Sequence, residues 1–73
     1  MHQEAIYHIH IAGPLAEADA DWFAGLTVVQ SSAAETILLT PPIDQSALHG
    51  ILAILRDLAI PLRAVQQLDP APQ

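Results

Sequence analysis

Apolar and polar residues alternate through residues 4–12. Ala5, Tyr7, Ile9 and Ile11 fall on one side of an extended chain, and Glu4, Ile6, His8 and His10 on the other. Successive side chains of a strand point to opposite faces, so this period of two predicts a half-buried strand. Tyr7, Ile9 and Ile11 are the better core set. Gly13-Pro14 stops the strand.

A second period-two region covers residues 26–40. "LTVVQ" and "TILLT" are β-branched or apolar runs separated by the small polar loop "SSAAE", which reads as a hairpin. The loop has no Asn-Gly or Asp-Gly pair, so it is expected to exceed two residues. Between the two regions, "LAEADADWFAG" predicts a short or irregular first helix. Asp19 would cap it, Trp22 and Phe23 would turn inward, and Gly25 would end it in the left-handed region. The like charges of Glu17 and Asp21, four apart, keep it short.

After Pro41-Pro42 the period changes. Leu48, Ile51, Leu52, Leu55 and Leu58 recur at helical spacing behind Asp44, a good N-cap residue. This predicts the main helix over residues 45–59, closed off by Pro61. Gly50 inside it costs up to about 1 kcal/mol relative to alanine, which points to a close approach between helix and strand. "PLRAVQQL" then reads as a last strand. Leu62, Ala64, Gln66 and Leu68 take one side, and Arg63, Val65 and Gln67 the other.

The resulting order is β-α-β-β-α-β, an α+β domain of the ferredoxin-like plan. The first helix is short, and the long helix packs on one face of a four-stranded antiparallel sheet. Residues 1–68 form the single domain, and 69–73 are expected to be a flexible tail.

Size and charge narrow the function. A chain of 73 residues buries only about 60% of its unfolded surface, and its core leaves roughly 3–5 kcal/mol of net stability. Domains of this size often recruit a disulfide, a metal or a second copy. Cysteine is absent, which closes the disulfide route and excludes thiolate chemistry. The net charge is −6, with Arg56 and Arg63 the only Lys or Arg residues. Nucleic acid and anionic membranes are therefore excluded as partners, and lysine-dependent chemistry is impossible. No apolar run is long enough to span a bilayer. No basic n-region leads into an apolar h-region, so the cytoplasm is the expected compartment.

His8 and His10 form the sharpest chemical feature. Two residues apart on one strand face, their Cα atoms lie roughly 6–7 Å apart, within reach of one zinc ion. His2 or Glu4 would supply a third ligand. The competing reading is a solvated or paired sheet face. His49 borders the apolar stripe as a boundary residue or a pH-sensitive contact. Glu17, Asp19 and Asp21 lack the glycine and final glutamate of an EF-hand and read as a solvated acidic loop. Asp44, Ser46 and His49 list the members of a triad, but no nucleophile elbow or oxyanion loop accompanies them.

The stretches "DWFAGLTV", "TILLT", "DQSALHGILAILRDL" and "PLRAV" resemble a family of small stand-alone bacterial proteins of uncharacterised activity. That family's pattern is approximately WF-x-GL, T-x-L-x-G, DQ-x-ALHG-x-L-x-x-(I/L)RDL and a short final strand. This chain departs from it at "TPPIDQ", where a glycine would precede the proline. Relatives often carry arginine where this chain has His8 and His10, which the resemblance counts against a metal role there. The last β-α-β also looks like an ACT-type regulatory domain in topology, which would imply a small ligand held between paired domains.

The function expected is non-enzymatic binding without a cofactor. A homodimer or partner complex would form through the open sheet face or an edge strand, using His8, His10, Arg63 and Gln67. The alternatives are an ACT-like ligand sensor and, behind it, a zinc protein or zinc enzyme on His8 and His10.

Overall fold

The strand predicted from alternation, β1 (Ile6–Ala12), is the centre of the structure. In the computed structural model, which describes residues 4–15 and 25–68, β1 pairs antiparallel with two other strands. On one side lies β3 (Glu35–Leu39), on the other β4 (Leu62–Leu68). β2 (Thr27–Ser31) pairs with β3 at the edge, giving the order β2-β3-β1-β4. A single described helix, α1 (Gln45–Asp57), links β3 to β4. The α+β class, the four-stranded antiparallel sheet and the long helix on one face are as expected. The first helix, with Asp19, Trp22 and Phe23, lies outside the described residues, as do His2, the acidic loop residues Glu17 and Asp21, and the tail at 69–73.

The core face of β1 is the predicted one. Ala5, Tyr7, Ile9 and Ile11 are all buried, and Leu38 of β3 joins them opposite Ile9. From α1, Leu48 and Leu55 are buried against this cluster, with Ile51, Leu52 and Leu58 packed partly buried around them. Removing side chains such as Ile9, Ile11, Leu38 and Leu55 from water contributes about 1.5–3 kcal/mol each.

Polar groups close the ends of the core. The buried Thr36 hydroxyl donates to the Gly13 carbonyl at 2.8 Å, beside the turn where Gly13 takes a φ of 77°. Such a φ suits glycine because no Cβ meets the backbone. The hairpin loop shortens to residues 32–34. The Ser32 hydroxyl organises it by accepting the amides of Ala34 and Glu35 and donating to the Glu35 carbonyl.

The helix starts as predicted and ends early. Asp44 Oδ1 accepts the Ala47 amide at 2.8 Å, a true N-cap. The helix stops at Asp57 rather than 59. Ala59 turns left-handed at φ 57°, its amide bonds to the Arg56 carbonyl, and the Ile60 amide bonds to the Leu55 carbonyl. These two bonds make a Schellman close with alanine where glycine normally sits. Gly50 also departs from expectation. It is exposed, and a Cβ built there meets nothing within 4 Å, so among the described residues no strand approaches it.

In β4 the register shifts between His10 and Ile11, leaving Arg63 as the extra residue of a bulge. Leu62 therefore pairs with Ile11, while Ala64 pairs with His10. The expected grouping of Leu62 with Ala64, Gln66 and Leu68 is broken at this point.

Candidate interaction surface

Cross-strand partners share a face, so the register lays out the side opposite the helix. Ile6 pairs with Leu68, and His8 lies between Leu39 of β3 and Gln66 of β4. His10 lies between Ile37 and Ala64, and Ala12 pairs with Glu35. β2 adds Thr27 opposite Leu39 and Gln30 opposite Ile37. The core packs on the other face, and among the described residues no helix or strand packs on this one. On β1 and β3 its residues are half-buried. The solvent face of an antiparallel sheet is ordinarily polar. Here its rows instead mix Ile, Leu and Ala with two histidines and glutamine.

Charge is nearly absent from the sheet. The chain carries a net charge of −6, yet the strands hold only one carboxylate, Glu35, and one guanidinium, Arg63. Glu35 approaches His10 diagonally, with Oε1 3.6 Å from Nδ1, too long for a hydrogen bond. The pair is ionic only when the imidazole is protonated. His10 Nε2 is enclosed and has no hydrogen-bond partner among the described residues. The His8 and His10 rings lie edge to face, with centroids 6.3 Å apart.

Of the residues expected at this face, the structure brings together His8 and His10 and sets Glu35 beside them. Gln67 is not with them. It pairs with Tyr7, on the helix side, and is exposed. Arg63 is exposed at the bulge on the sheet edge. Glu4 precedes the strand and is exposed. Among the described residues no group of three or more His, Cys, Asp or Glu stands close enough to hold a metal ion. On α1, Ser46 and His49 are exposed rather than enclosed in a site, and His49 does not reach the core. Glu35 was missed in sequence because it fell in the predicted loop. Its parity with Ile37 and Leu39 would have placed it on this face.

No helix among the described residues is long and apolar enough to cross a membrane. A family described as domain of unknown function (DUF8691) matches residues 6–66 of the chain, from the first residue of β1 to within β4. No curated protein and no solved structure matches it.

Proposed function

Taking as premise that the chain belongs to the DUF8691 domain family, we propose that it is a non-enzymatic interaction protein. It pairs with a second copy of itself through the helix-free face of the sheet. The observation that carries this reading is the composition of that face. Ile6, Ile37, Leu39 and Leu68 are set there among neutral polar residues, two histidines and a single carboxylate, Glu35, in a chain of net charge −6. Interface centres are likewise depleted of charge. Two copies of an acidic chain repel over most of their surfaces, and the sheet is where they can meet with least opposition. Pairing would also supply buried apolar area that so small a core lacks.

The fold belongs to the same proposal. The chain passes from β1 to β2 with β3 between them, and from β3 to β4 with β1 between them. These interleaved crossovers, the second carrying α1, support the ferredoxin-like β-α-β-β-α-β plan. That plan leaves one sheet face without helices.

Light scattering at micromolar concentration, below the range in which a weak edge contact would populate, tests the function. The wild type is expected to approach twice the monomer mass. Ile37→Glu, and the exposed Gln66→Glu on the same face, are expected to stay monomeric with an unchanged circular dichroism spectrum. A wild type that is monomeric at that concentration overturns the reading.

A further inference from the structure

We propose that β2 is a second, independent contact, at which the chain adds an antiparallel strand from another copy of itself. The two edges of the sheet are built differently. β4 is preceded by Pro61, bears Arg63 and is bulged at that residue. Proline, charge and bulges are the devices that blunt an edge against strand addition. β2 has neither of the first two. Among the described residues it pairs only with β3, all five of its residues are exposed, and it reads Thr-Val-Val-Gln-Ser without charge or proline. Val28 and Val29 are 49% and 52% exposed, and β-branched residues suit a paired strand.

Charge selects a second copy as the occupant. The described run from Gly25 through Ala34 contains no ionisable side chain, in a chain whose net charge is −6. A two-fold axis beside the strand would set β2 against itself with uncharged residues facing uncharged residues. The blunted β4 edge would then end the sheet on both sides, giving an eight-stranded sheet shared by two copies. The register shift between Val28 and Gln30 twists the strand and shortens the straight edge. A five-residue contact of this kind falls below about 1,200 Å² of buried surface, the range of weak and transient complexes. Association at this edge is therefore expected to depend on concentration.

Amide hydrogen exchange on the intact chain, at micromolar and millimolar concentration, tests this separately from the face. The expected result is protection gained at β2 on concentrating, with β4 unchanged. It should persist in Ile37→Glu and vanish in Val28→Glu/Val29→Glu. β2 amides that exchange equally at both concentrations overturn the proposal, even if light scattering shows a dimer. Protection gained at β4 instead also overturns it. If the double variant does not fold, the wild-type comparison still decides the matter.

Discussion

The side chain of Thr40 stands in for a backbone carbonyl opposite Tyr7. The Tyr7 amide donates to Thr40 Oγ1 at 3.0 Å, while the Thr40 amide donates to the Tyr7 carbonyl at 3.0 Å. The pair extends the β1–β3 ladder one step past Leu39, where Pro41 and Pro42 turn the chain away. The same hydroxyl donates to the Pro41 carbonyl at 2.8 Å, and Thr40 is 2% exposed.

Thr40→Val keeps the shape and removes both bonds. The buried Tyr7 amide then has no acceptor, which costs about 1–3 kcal/mol. A domain of this size loses roughly 4–8 °C of melting temperature per kcal/mol. Thr40→Ser retains the hydroxyl and should fall much nearer the wild type. A thermal melt in which valine and serine behave alike would remove this role from the hydroxyl.

Asp44 performs the equivalent service for α1, through its bond to the Ala47 amide. Asp44→Ala is expected to cost about 1 kcal/mol, and Asp44→Asn only a fraction of that, since both native and asparagine side chains cap well. The urea midpoint reads the difference. Equal losses in the two variants would point to the charge rather than the cap.

The cap was legible because aspartate before an apolar helical stripe has a local cause. The core face of β1 was legible for a similar reason: Tyr7, Ile9 and Ile11 outweigh Ile6 alone, and parity does the rest. β4 was not, since Leu62 and Leu68 lie on one parity and Val65 on the other. Only pairing with β1 decides which side is inward, and the bulge at Arg63 reverses the answer partway. This is why Gln67 was wrongly grouped with His8 and His10. The end of α1 was missed because a left-handed close usually announces itself by glycine, and Ala59 occupies it.

Gly50 and Ala59 each sit where the other would serve better. Gly50→Ala adds a methyl group into open space in a helix interior, a gain of roughly 0.5–1 kcal/mol. Ala59→Gly relieves a left-handed alanine, worth about 1–2 kcal/mol. Part of that is offset by the greater freedom glycine gives the unfolded chain, about 0.4–1 kcal/mol. The two positions are nine residues apart, and the 7 helical steps from Gly50 to Asp57 alone cover about 10 Å at 1.5 Å per residue, so the gains should add. Calorimetry of the singles and the double variant checks this. A destabilised Gly50→Ala would mean that the helix face there is in contact after all.

His10 decides how polar the helix-free face must be. Its Nδ1 lies 3.6 Å from Glu35 Oε1, with the side chains 22% and 29% exposed. An ion pair that open to solvent contributes about 0–1 kcal/mol. The enclosed Nε2 has no hydrogen-bond partner among the described residues, and such a group costs about 1–3 kcal/mol. The second magnitude exceeds the first, so the imidazole should be a net burden on the fold. His10→Leu is therefore expected to be neutral or stabilising by up to about 2 kcal/mol. His10→Ala, which also vacates packing volume, should be the less stable of the two. Urea denaturation at neutral pH and micromolar concentration measures both. A loss above about 1 kcal/mol in His10→Leu would exceed the expected value of the exposed pair. It would mean that the ring is held by a stronger interaction than the contact with Glu35.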